Sequence, residues 1–380
     1  MTKLTRRAGV REFAGMFMGA AVLGVCVSDA SAQVPEGLTF YGAINQAIMN
    51  YDDGVESINY GRVDNAVGDN VNRFGARFDR VLSSGWDMTG TFEFGLAPKR
   101  SNQVSQLDRD NSSWSFDETS LRKLDVAFAQ DGVGTFYIGH GDMSGKGSAP
   151  DFSGTDVIAS NNPAELAGGN FWRLDPGGGL KARQLNESFG NYSSGRRLRL
   201  RYDSPQFANF RLSTSVGREV LTSGDDSTYF DVVARYDKQW RTIDLAVELS
   251  LKGLGGGDYA GGSGLAIIHK PSGLNFAVST AHPIIGHTEA HFGYAKIGLK
   301  RDFFSFGSTA ISYDYYNGGS FGAAGSESLS DGISIVQRVD KYDLEVFLTV
   351  RNYDGYTNIG LPNEDFLKST VQAFGFNWTF

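Results

Sequence analysis

The feature that most constrains this chain is a period of two. Runs of about 8 to 12 residues alternate apolar and polar side chains, separated by Gly-rich polar segments that are short and long by turns. In Trp86 to Phe94 one parity carries Trp86, Met88, Gly90, Phe92 and Phe94, and the other carries Asp87, Thr89, Thr91 and Glu93. Arg197 to Tyr202, Ile243 to Leu249 and Asp343 to Arg351 repeat the pattern. Successive side chains of a strand point to opposite faces, so each run makes a strand with one greasy and one hydrophilic face.

The start of the chain is a separate problem. Basic residues (Lys3, Arg6, Arg7, Arg11) precede an apolar stretch from Phe13 to Val27 and the small-residue tripeptide Ala30-Ser31-Ala32. That is the layout of a secretory signal peptide, so residues 1–32 are read as cleaved and 33–380 as one domain. Arg6-Arg7 as a twin-arginine signal and Leu23 to Cys26 as a lipid-attachment box are lesser readings, since Ala30-Ser31-Ala32 competes with both. Cleavage there removes Cys26, the single cysteine, which suits an oxidising compartment and excludes thiolate chemistry.

Removing residues 1–32 takes away four basic and two acidic residues and leaves 31 Lys+Arg against 41 Asp+Glu, a net charge of −10. Such a chain is a poor general nucleic-acid binder. No later stretch offers 18 consecutive apolar residues and mean hydropathy is negative, which argues against membrane helices. Many strands and turns fit a chain with 49 Gly and 43 Phe+Tyr but only 9 Pro.

A soluble sandwich with one wet face satisfies the alternation equally well. Three features favour a membrane barrel instead. Aromatics gather near strand ends, as in interfacial girdles. Tight connections (Leu82 to Gly85, Gln130 to Gly134, Pro205 to Asn209) alternate with longer polar excursions. The stretch Phe374 to Phe380 reads as a closing strand rather than a loose terminus.

Local motifs then carry a family resemblance. Leu38 to Gly42 resembles an opening strand, Asn72 to Phe78 a second strand, Gly134 to Gly139 a fifth, Arg201 to Phe207 an Arg-Tyr-Asp-Ser-Pro turn between strands six and seven, and Phe380 a terminal assembly signal. In this order they resemble the general bacterial porins of Gram-negative outer membranes. The resemblance implies an all-β fold: a transmembrane antiparallel β-barrel of 16 strands, with 14 or 18 left open by length, and an inward-folded constriction loop. It further implies a homotrimer among outer-membrane lipid and lipopolysaccharide, passing small hydrophilic solutes and ions. The chain departs from the family at His140, where Arg is usual, and after Asp151, where no Pro follows.

Channel selection needs opposed charged rows. Arg73 and Arg77 share one strand face, as do Arg197, Arg199 and Arg201; three arginines on a lipid face would each cost roughly 2 to 4 kcal/mol at the midplane, so they belong in the lumen. The segment from His140 to about Arg183 is too long for a structural turn and is read as the inward loop, with Asp142, Asp151, Asp156 and Glu165 facing the basic wall. The net charge of −10 adds an expectation of weak cation selectivity.

Other chemistry is thin. His287 and His291 make a metal pair only on a helix, and solvated loop histidines fit better. Gly177 to Gly179 and Gly253 to Gly257 lack a phosphate-loop setting, and Ser223 to Asp226 offers at most weak Ca²⁺ binding. No cofactor and no catalytic set are expected; the competing readings are a substrate-specific outer-membrane channel, an outer-membrane barrel enzyme and a secreted β-sandwich binding module.

Overall fold

The computed structural model describes residues 36–68, 70–110, 118–147, 149–286, 289–357 and 364–380. The leader 1–32 and His287 lie outside the described residues.

Sixteen antiparallel strands close into a ring. They are β1 Leu38–Asp52, β2 Arg73–Val81, β3 Asp87–Gly95, β4 Leu121–Gln130, β5 Gly134–Asp142, β6 Arg196–Asp203, β7 Phe210–Arg218 and β8 Thr228–Gln239. There follow β9 Ile243–Gly255, β10 Asp258–His269, β11 Leu274–Ile285, β12 His291–Phe304, β13 Gly307–Gly319, β14 Ser326–Val339, β15 Leu344–Thr357 and β16 Ser369–Thr379. Each strand pairs with its sequence neighbour, and β16 returns to β1 over Ala43↔Thr379 to Asp52↔Thr370. Closure leaves no free sheet edge. Strands five, six and seven fall where the sequence motifs place them.

The alternation sorts cleanly to two faces. On β6, Leu198 and Leu200 are 49% and 57% exposed on the outside, while Arg199 between them is 4% exposed on the inside. Phe92, Ile138, Leu249, Phe276, Ile297 and Phe374 continue an exposed apolar band around the ring. The interior is lined by Asp, Arg, Ser, Thr and Tyr. No described helix is long and apolar enough to cross a membrane, so any crossing falls to strands.

One end of the ring is made of tight turns. At 82–86 the Leu82 amide donates to the Trp86 carbonyl, and Gly85 takes the positive φ of 80° that the reversal needs. Exposed Phe207, Trp240, Phe304, Phe306, Tyr342 and Phe380 gather at this end. At the other end, long connections follow β1, β3 and β5, here called loop 1 (53–72), loop 2 (96–120) and loop 3 (143–195). The long–short rhythm read from the sequence does not persist all round: β9 and β10 are joined only by Gly256 and Gly257, both at positive φ. The Gly253 to Gly257 run is therefore a hairpin turn.

Loop 3 folds into the barrel. It holds one helical turn, Ala164–Ala167, and a small hairpin of Phe171–Asp175 with Leu180–Gln184. Val157, Ile158, Leu166, Trp172 and Phe189 pack with Phe292, Tyr316, Phe347 and Tyr353 of the inner wall, forming the main buried cluster. Loop 1 adds a strand, Ser57–Asp64, laid along β1, and Phe366 stacks on Trp172 at 5.1 Å. Arg173 of loop 3 joins Asp53 at 2.7 Å and Glu56 at 2.8 Å, and Arg109 of loop 2 reaches Glu56 at 2.9 Å. Three loops are thereby tied into one cap.

Candidate functional site: the lumen and its folded-in loop

The space left by loop 3 runs along the inner wall of β1 to β6 and reaches β8, β11 and β12. Three connected sets of residues line it, enclosing cavities of about 700, 530 and 430 Å³. The second is strongly basic: Arg73, Arg77, Arg122 and Lys123 surround Glu93 as its one acid. Glu93 is itself occupied, accepting from the Tyr41 hydroxyl at 2.9 Å and Arg122 at 2.6 Å, with Arg73 at 3.7 Å. The third brings Arg77, Lys123, Arg199 and Arg201 together with Asp87, Asp125 and Asp142.

The arginines expected from parity are placed as follows. Arg73 and Arg77 line the basic cavity, and Arg77 pairs with Asp79 at 2.8 Å. Arg199 is buried and tied to Asp125 at 2.5 Å and to the Gly139 carbonyl at 3.0 Å. Arg201 forks onto Asp203 at 2.9 and 2.8 Å, 5.1 Å from the centre of the Tyr137 ring. Arg197 stands apart: it pairs with Glu219 at 3.1 Å and covers the Tyr229 ring at 4.4 Å.

The acids depart further from expectation. Asp142 is not on the loop; it is the last residue of β5 and belongs to the basic wall, bridging Lys123 at 3.0 Å, Lys146 at 3.3 Å and Arg196 at 2.9 Å. Asp151 is paired not with that wall but with Lys296 of β12, at 2.6 Å. Glu165 fastens loop 1, accepting the Gly68 amide at 2.7 Å and the Ser160 hydroxyl at 2.6 Å. Asp156 alone of the four presents its carboxylate to the lumen without a hydrogen bond or ion pair from any described side chain. A row of loop acids opposed to a row of basic wall residues is thus not what the chain builds. The loop is long enough that several of its acids serve to hold it in place.

Two of these carboxyls are driven in opposite directions. Burial alone would raise Asp151; the Lys296 ammonium and the Ser153 hydrogen bonds outweigh it and hold Asp151 below the ordinary carboxylate range. Asp156 is pushed up, by its enclosure first and by the Asp151 charge second, against a weaker pull from Lys296 and Lys300.

Sequence reasoning missed Arg122, Lys123, Arg235 and Lys296. Lys123 and Arg235 were readable: Lys123, Asp125 and Ala127 share the inner parity opposite Leu124, Val126 and Phe128, and Asp231, Val233 and Arg235 do the same on β8. Lys296 carried no such signal, because its meaning depends on which loop covers it. The weaker candidates fold into ordinary structure. His291 opens β12 and is not helical, Asp225 serves a turn by accepting the Ser227 amide and the Tyr229 hydroxyl, and among the described residues no three metal-ligating side chains converge.

No family model matches the chain, and no curated protein matches it in sequence. Its fold is shared with solved structures. The anion-selective porin from Comamonas acidovorans is 12% identical with a TM-score of 0.56, over 90% of this chain and 99% of that one. The trimer form of OmpT, an outer membrane protein of Vibrio cholerae, is 11% identical with a TM-score of 0.51, over 90% and 99%. Salmonella typhi OmpF in complex with daunomycin is 14% identical with a TM-score of 0.52, over 90% and 97%. At these identities the likeness is one of fold.

Proposed function

We propose that the protein is an outer-membrane channel of Gram-negative type, through which ions and small hydrophilic solutes diffuse passively. The observation that carries this reading is the pairing of a continuous exposed apolar band outside with a charged lumen inside a closed ring. In lipid every backbone polar group needs an internal partner, and closure supplies it without a helix. The exported leader, residence among outer-membrane lipid and lipopolysaccharide, and a homotrimeric state belong to the same reading; the Vibrio cholerae relative in trimer form supports the last. The channel works without a cofactor and without turnover.

Net charge of the whole chain is a poor guide to its selectivity. Eight basic and seven acidic side chains line the three lumen cavities, so the −10 of residues 33–380 does not reach the passage as an acidic excess. The cation preference expected from composition is therefore withdrawn in favour of weak selectivity set locally.

The test is planar-bilayer recording of the detergent-purified, heat-modifiable protein under a KCl gradient. Stepwise ohmic conductance in groups of three, with a small reversal potential, supports a trimeric diffusion channel. Folded protein that inserts and carries no current refutes it.

A further inference from the structure

The lumen cavities differ in charge, and the first and second meet at a single side chain. Four acids and three basic residues line the first, against four basic residues and Glu93 in the second. Among the described residues the two linings have only Asn70 in common. Asn70 belongs to loop 1, not to loop 3, and stands where the chain returns from the Ser57–Asp64 strand toward β2.

Loop 1 is fastened on both sides of that point. Before it, the Asn65 side chain donates to the Val157 carbonyl at 2.8 Å, the Ala66 N–H to the Ser101 hydroxyl at 3.1 Å and the Gly68 N–H to the Glu165 carboxylate at 2.7 Å. After it, Asn45 Nδ2 donates to the Asn70 carbonyl at 2.7 Å, while the Asn72 side chain accepts the Asn45 N–H at 2.5 Å and donates to the Asp64 carboxylate at 2.8 Å. A Cβ at Gly68 would come within 3.4 Å of the Asp156 carbonyl oxygen, so loop 1 abuts loop 3 here. Asn65, Val67, Val71 and Asn72 are buried, whereas Gly68 and Asn70 keep part of their surface open. Only the backbone of Asn70 is used in this fastening; its side-chain amide makes no hydrogen bond with a described residue. A segment held by buried hydrogen bonds on both flanks is a fixed rim, not a fluctuating one.

We infer that Asn70 is a selectivity determinant of the channel: loop 1 supplies a second rim of the passage beside loop 3, and the Asn70 amide governs exchange between the acid-rich and the base-rich cavity. The inference rests on the channel reading and deepens it by naming the residue at which ions and small polar solutes cross from one field to the other. A primary amide offers donors and an acceptor and carries no charge, so it replaces hydration for solutes of either sign without trapping one of them. A charge placed at the same point acts on each ion that crosses, because a partly enclosed lumen screens it less than open solvent does.

Cys26 of the leader is the sole cysteine, so Asn70→Cys places a single thiol in residues 33–380. In bilayer recordings of the Asn70→Cys channel, a sulfonated and a trimethylammonium methanethiosulfonate should each lower conductance in discrete steps, by about one third or more per channel. The sulfonate should raise the cation-to-anion permeability ratio about twofold and the ammonium should lower it by as much, while the wild-type channel, which has no thiol, responds to neither. Asn70→Asp and Asn70→Lys should reproduce the two shifts in heat-modifiable, folded protein, since the native side chain holds nothing in place. Full labelling, verified by mass, that leaves conductance and ratio unchanged overturns the assignment of Asn70 and leaves the channel standing, and so does a thiol in the folded, conducting channel that neither reagent reaches. Folded wild-type protein that never conducts overturns the channel and the inference with it.

Discussion

The inner wall of the barrel has two arcs, and they are built from the same strand grammar with different side chains. From β2 to β6 the inward positions are long and charged: Arg73, Arg77, Glu93, Lys123, Asp125, Arg199, Arg201. From β11 to β14 most are short: Ala277, Ser279 and Ala281, then Ala310 and Ser312, then Ser328, Ser330 and Ser334, all buried. Loop 3 lies against the short-residue arc because only there is space for a second layer of chain. The hydroxyls give that layer its contacts, as in Thr155 with Ser312 and Asn161 with Ser279 at 3.1 Å. The size of inward residues, more than their polarity, decides which half of the lumen carries water and which is packed.

The comparison breaks most visibly at Asp314 of the covered arc and Arg351 of the adjoining β15, a pair with exposures of 0% and 2%. If that arc is dry, Arg351→Met strands Asp314 and costs about 3–5 kcal/mol of barrel stability, while Asp314→Leu with Arg351→Met together is close to neutral. Urea unfolding of the three variants in detergent measures this, and a single-variant loss below about 1 kcal/mol would mean a wet arc.

Lys296→Met comes next. It removes the ammonium that holds Asp151 while keeping the stem, and leaves a carboxylate between loop and wall. Loop 3 should loosen and single-channel conductance rise about twofold with added noise, whereas unchanged conductance would show that the hydroxyl contacts and the buried cluster hold the loop unaided.

Acidification sharpens the contrast within the loop itself. Asp156 is raised, so its ionised form is the disfavoured one, and its charge disappears as pH falls through a value above the ordinary carboxylate range. Asp151 is depressed, so its contribution is complete above its unfolded value and is lost only as pH falls through its lower folded value. Titrating downward should shift the reversal potential away from cations, as Asp156 loses its charge, before conductance changes through release of Asp151. The reverse order would show that the two carboxyls are wrongly assigned.

The smallest effect is expected on the open arc. Arg77→Gln touches an exposed pair with Asp79, so stability should move by no more than about 0.5 kcal/mol, while the reversal potential shifts slightly toward cations. A larger loss of stability would make the open wall a structural network in its own right.

The strand faces were legible because period two is a local property: Leu198 and Leu200 declare an outer face whatever the rest of the chain does. The turns at 82–86 and 204–209, and the ordinal places of β5, β6 and β7, were legible for the same reason. The roles of Asp142, Asp151 and Glu165 were not. Each acid looks alike in a polar loop, and its partner (Arg196, Lys296 or the Gly68 amide) is a long-range contact that no spacing encodes. Likewise the rhythm of short and long connections did not carry all round, since Gly256 and Gly257 close a two-residue turn where that rhythm called for a longer excursion.

Closure of the ring has a consequence for how such a molecule changes over evolutionary or engineering time. With β1 and β16 antiparallel, the circuit is consistent only for an even number of members. A lone inserted or deleted strand would leave one junction parallel and the inside–outside parity of everything beyond it unmatched to its neighbour. The unit of growth is the hairpin, duplicated or lost whole, and the bore of the channel is therefore quantised in steps of two strands.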